Sequence, residues 1–62
     1  MSKAYMLKIY RNYNNGIAIT CGSYYDYTID GDFIVRRPKG GGEWKLAERL
    51  PKSIIKERRG FI

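Results

Sequence analysis

YMLKIYRNYNNGIAITC, residues 5–21, decides the fold, because it sets two apolar runs either side of an Asn-Asn-Gly. YMLKIYRNY and GIAITC are rich in β-branched and aromatic residues, and the NNG between them is a hairpin signal. The loop length can be read from which register puts the apolar residues on one face. A two-residue Asn15-Gly16 turn sets Tyr13 against Ala18 and Ile9 against Gly22, which scatters them. A three-residue loop of Asn14, Asn15 and Gly16 pairs Tyr13 with Ile17, Arg11 with Ile19 and Ile9 with Cys21. Tyr5, Leu7, Ile9, Ile17, Ile19 and Cys21 then share the inner face, and Gly16 falls where a left-handed residue is wanted. Lys8, Tyr10, Thr20 and Tyr24 take the opposite face, an aromatic and basic mixture. The three-residue loop is the expectation.

Further along, Gly22-Ser23 breaks the strand, and YYDYTI runs through Asp30-Gly31-Asp32 into FIVRR as a second hairpin. A three-residue loop pairs Ile29 with Phe33, Tyr27 with Val35 and Asp26 with Arg36, keeping apolar and opposite-charge pairs together. A two-residue Asp30-Gly31 turn competes with it, so this register is open. A third hairpin joins FIVRR to EWKLA through PKGGG, with Phe33, Val35, Trp44 and Leu46 inward and Arg36 and Lys45 outward. Pro38 cannot donate to a ladder, so pairing should stop there and give way to a loose glycine tip.

From Leu50 the pattern changes to helical. Pro51 suits a first helical position and Gly60 a left-handed cap, with Phe61 folding back on Ile55. Leu50, Ile54, Ile55 and Phe61 make an apolar stripe, opposite Lys52, Lys56 and Arg59. A helix of about nine residues is unstable alone and must be held by packing on the sheet. The predicted fold is mainly β with a C-terminal helix (α+β). It is a small curved antiparallel sheet or half-barrel of four or five strands, closed by that helix, in one domain spanning residues 1–62.

A chain of 62 residues buries a modest share of its surface, so stability is marginal unless a disulfide, metal or partner assists. Cys21 is alone and there is no histidine, so neither an internal disulfide nor a zinc site is expected. Self-association as a homodimer, or docking on a larger partner, gains weight accordingly. The lone cysteine fits a reducing, cytoplasmic setting. Residues 1–11 carry charges and tyrosines where a signal peptide needs an apolar core, and no apolar run is long enough to span a membrane.

Catalytic chemistry finds no foothold. Without histidine the commonest general base is missing. Cys21, mid-strand among apolar neighbours, is expected to pack as a small hydrophobe. Asp30 and Asp32 flank a turn glycine, and a calcium loop needs more oxygen ligands than they supply. Lys39-Gly40-Gly41-Gly42 lacks P-loop order, in which glycines precede Lys-Ser/Thr and a helix follows. No cofactor is expected, and the chain reads as a non-enzymatic binding protein.

Charge says what it binds. Residues 1–35 balance Lys3, Lys8 and Arg11 against Asp26, Asp30 and Asp32, so the net +6 lies wholly in residues 36–62. A segregated basic surface is the footprint expected for polyanion binding. Phosphates call for Lys and Arg, and unpaired bases call for exposed aromatics. The leading reading is therefore a nucleic-acid-binding module, for DNA or RNA, gripping phosphates through residues 36–59. Its candidate residues are Arg36, Arg37, Lys39, Lys45, Lys52, Lys56 and Arg59, joined by Lys8, Tyr10 and Tyr24. The alternative is a small effector or inhibitor of the phage or mobile-element kind, docking on a larger acidic or nucleic-acid-processing protein. Its richness in Tyr, Trp and Arg suits interface hot spots. Binding of the basic helix to anionic membranes ranks last, because its apolar face is needed for the core.

Overall fold

The computed structural model describes residues 1–58. The chain order is α1 (Lys3–Asn14), β1 (Thr20–Cys21), β2 (Tyr25–Asp30), β3 (Phe33–Pro38), β4 (Lys45–Arg49) and α2 (Lys52–Arg58). The strands form one open antiparallel sheet in the order β1-β2-β3-β4. Two helices with an open four-stranded antiparallel sheet bear out the α+β class, with a helix at the N-terminus that was not expected.

The first hairpin is replaced by a helix. Ser2 is the N-cap: its Oγ accepts from the Tyr5 N–H at 3.2 Å, satisfying one of the free donors of the first turn. Met6, Ile9 and Tyr10, at i, i+3 and i+4, form the buried stripe. The Asn-Asn-Gly ends the helix. Ile17 N–H donates to the Asn12 carbonyl at 2.8 Å and Gly16 N–H to that of Tyr13 at 3.2 Å, with Gly16 at φ +89°. This is a Schellman cap, and its left-handed residue is the same one a hairpin loop requires. Residues 17–19 then lead into β1, and Asn12 Nδ2 donates to the buried Thr20 Oγ1 at 3.1 Å, tying the helix end to the sheet.

The second hairpin is present with a different turn. Asp30 pairs with Phe33 and Ile29 with Ile34, so the loop is Gly31-Asp32. Gly31 takes φ +63° while Asp32 keeps a negative φ, as a type II′ hairpin turn demands. This register sets Asp26 opposite Arg37, not Arg36. A shift by one residue inverts the faces of a strand. Ile34 is therefore completely buried, while Phe33 is exposed and Val35 half-buried. In β4 a bulge makes Ala47 the extra residue, so Val35 faces Leu46 and Ile34 faces Glu48. Phe33, Val35, Trp44 and Leu46 thus lie on the uncovered side, with Leu46 65 % exposed, and do not pin the core.

The core lies between α1, α2 and the other sheet face: Met6, Ile9, Tyr10, Ile29, Ile34, Leu50 and Ile54, with Tyr5, Leu7, Tyr27, Ala47 and Ile55 packed against it. The Leu50, Ile54 and Ile55 stripe is as expected, while the predicted cap at Gly60 and return of Phe61 fall outside the described residues. Cys21, expected to pack, is exposed on β1. Among the described residues no helix is long and apolar enough to cross a membrane.

Candidate nucleic-acid interface

Side chains opposite each other in an antiparallel pair share a face. Tyr27, opposite Arg36, packs on the core, so Arg36 lies on the helix side of the sheet, as does its β4 partner Lys45. The sequence reading placed both cations on the uncovered face. They are paired, but one residue of register puts them on the other one, past the part that α1 covers. Tyr25 completes the group: the Arg36 guanidinium lies 4.2 Å from its ring centroid.

Together with Pro38, Gly42, Glu43 and Leu46, these three line a cleft of about 520 Å³. Its rim is made by the glycine tip, where Gly40, Gly41 and Gly42 run at φ +93°, +120° and +125°. The Gly41 N–H donates to the Pro38 carbonyl at 3.2 Å, so the tip is a defined turn. Arg36 and Lys45 are both exposed, and among the described residues neither is in an ion pair.

The aromatic surface continues from the cleft toward α1. Tyr25 meets Tyr27 at 6.4 Å between centroids, and Tyr27 meets Tyr5 edge to face at 5.5 Å. Lys8 caps the row, its Nζ 5.8 Å from the Tyr5 centroid. The ladder Lys8–Tyr5–Tyr27–Tyr25–Arg36 therefore has a cation at each end and three half-buried tyrosines between. Tyr5, Tyr25 and Tyr27 were not singled out from sequence. Their i, i+2 spacing in YYDYTI carried the signal for two of them, while Tyr5 joins only through the helix.

Other candidates lie elsewhere. Arg37 and Lys39 converge on Asp26: Arg37 Nε is 3.5 Å from one carboxylate oxygen and Lys39 Nζ 3.4 Å from the other. Arg37 also lies over the Trp44 ring, 4.6 Å from its centroid. One of their two charges is thus offset within the protein. Lys52 and Lys56 join Arg49, Ile55 and Asp32 around a second cleft of about 430 Å³, beside the β2–β3 turn and the end of β4. The basic half of the chain is split between the two ends of the sheet.

Tyr10 is a correction. Expected on an outer face for stacking, it is 2 % exposed in the core, because helical spacing groups it with Met6 and Ile9. Thr20, expected beside it, is also buried. Tyr24 is 82 % exposed, just ahead of β2. Arg59 lies outside the described residues. Among those described, no group of His, Cys, Asp and Glu is placed to hold a metal ion. No family model matches the chain, and no curated protein or solved structure is similar to it.

Proposed function

We propose that this chain is a non-enzymatic nucleic-acid-binding module whose grip is centred on the Tyr25–Arg36–Lys45 cleft. The observation that carries the reading is the cross-strand pair of Arg36 and Lys45, two exposed cations outside any ion pair among the described residues and beside an aromatic ring. Such a pair offers a phosphate two donors at little cost, since no internal salt bridge has to be broken. Lys52, Lys56 and Arg49 supply a second positive region that a long polyanion can reach. Arg37 and Lys39 contribute less than their charge suggests, because they share the Asp26 carboxylate, which cancels one of their two charges.

Fluorescence anisotropy with labelled oligonucleotides tests this over a salt series. Binding that weakens linearly with log salt supports it, because the slope reports how many phosphates are contacted. Absence of binding at low salt refutes it.

One observation favours the effector reading as the second choice. The sheet face away from the helices presents Phe33, Leu46 and Trp44 to solvent beside Arg37 and Arg49, and Arg49 lies 5.9 Å from the Phe33 centroid. Exposed apolar surface rimmed by charge is characteristic of protein interfaces. Under that reading Phe33→Ala, on the same face and outside the cleft lining, weakens capture of a protein partner. Under the nucleic-acid reading it leaves oligonucleotide affinity within a few-fold.

A further inference from the structure

We infer that the Tyr25–Arg36–Lys45 cleft is a subsite for one unpaired nucleotide, which makes single-stranded nucleic acid the substrate class. The inference rests on the nucleic-acid reading above and sharpens it.

A duplex offers the protein only phosphates and groove edges, whereas a single strand offers the flat faces of its bases. The cleft is made for a flat face. Arg36 lies with its guanidinium 4.2 Å from the Tyr25 centroid, so a planar cation and an aromatic ring are already in contact at the cleft. Arg36 is exposed and lines the cleft, so a base can lie against it. Bases stack on Arg planes as well as on aromatic rings. Lys45, directly across the strand pair, is placed for the adjoining phosphate. The volume of about 520 Å³ falls in the range of small-ligand sites, about 300–1,000 Å³.

Glu43 argues against a purely ionic site. Glu43 lines the same cleft, which sets two cationic residues against one anionic one. That balance suits a neutral base with one phosphate better than a run of phosphates, which Glu43 repels.

The test compares four labelled probes of equal length. These are single-stranded oligo(dT), single-stranded oligo(U), a mixed-sequence duplex and an abasic deoxyribose-phosphate strand. The protein is the full chain, wild type and Arg36→Lys, which keeps the charge and removes the plane. Circular dichroism establishes that the variant folds, as expected for a change at an exposed position.

The expected result is tighter binding of wild type to at least one base-bearing single strand than to duplex or abasic strand. Oligo(dT) against oligo(U) reports which sugar is accepted. In Arg36→Lys the affinity ratio of base-bearing to abasic strand falls by roughly tenfold, the scale of one lost stacking contact. Equal binding of all four probes, or an unchanged ratio in Arg36→Lys, overturns the subsite while leaving nucleic-acid binding intact. No binding to any probe overturns both.

Discussion

The Tyr5 ring meets the Tyr27 ring edge to face, centroids 5.5 Å apart and planes at 80°, where α1 crosses the sheet. Edge-to-face is the geometry in which the positive rim of one ring meets the negative face of the other. The pair clamps the helix to β2 and fixes the middle of the tyrosine row that leads to the candidate cleft. Tyr5→Leu should lower stability in urea by about 0.5–1.5 kcal/mol beyond the difference in apolar area. A double-mutant cycle with Tyr27→Leu isolates that coupling. Zero coupling would mean the rings are neighbours without being partners.

Gly22 sits under the same pair. A Cβ there would lie 2.8 Å from the Tyr25 carbonyl oxygen, 3.0 Å from the Tyr27 ring and 3.1 Å from the Tyr5 hydroxyl. A backbone oxygen cannot move aside as a flexible side chain can. Gly22→Ala should therefore cost about 1–3 kcal/mol as an overpacking substitution. Thermal melting checks this, and a variant as stable as wild type would place the turn elsewhere.

The helix end makes a separate prediction. Gly16, at φ +89°, has open space where a Cβ would go, so only backbone conformation opposes a side chain. A left-handed conformation costs an L-residue about 1–2 kcal/mol, and Gly16→Ala should lose that much in urea denaturation. Gly16→Asn should lose less, because Asn tolerates this region better. If residues 5–21 were a β-hairpin, circular dichroism would show no helix from them, so the helical signal of wild type is the control.

How much of this was readable beforehand depends on particular residues. Leu50, Ile54 and Ile55 alternate at helical spacing with no competing pattern, so the C-terminal stripe was legible. Asp-Gly-Asp between YYDYTI and FIVRR marked a hairpin, but its turn could be drawn several ways. The choice shifted the strand by one residue and inverted Phe33, Val35 and Leu46 relative to Ile34. Residues 5–16 satisfy two periods at once. Tyr5, Leu7 and Ile9 alternate as a strand does, while Met6, Ile9 and Tyr10 repeat as a helix does. Asn-Asn-Gly closes a hairpin or caps a helix with equal ease. Ser2, a good N-cap ahead of helix-favouring Lys3, Ala4, Met6 and Leu7, was the available tie-breaker. For the site, strand alternation made legible that Arg36 and Lys45 share a face. The ion pairs of Arg37 and Lys39 with Asp26 were not, because Asp26 meets them only in the observed register.

The sharing of Asp26 is itself testable. Asp26 holds Arg37 and Lys39 in part-exposed ion pairs, which add little to stability. Asp26→Asn should leave the fold intact and free two cations. Oligonucleotide affinity at low salt should then rise severalfold, and the salt slope should steepen by up to about 0.7 for each added phosphate contact on a single strand. Unchanged affinity and slope would place the Arg37 side of the sheet outside the interface.

The most direct test of the central claim is the salt slope of single-stranded oligonucleotide binding for wild type and for Arg36→Ala/Lys45→Ala. Wild type should bind at low salt and weaken linearly with log salt. The double variant should stay folded, since both residues are exposed, bind more weakly, and have a slope shallower by about 0.7, the value for the one phosphate contact this cleft makes. A double variant with wild-type affinity and slope, or a wild type that binds no oligonucleotide at low salt, would contradict the assignment of this cleft.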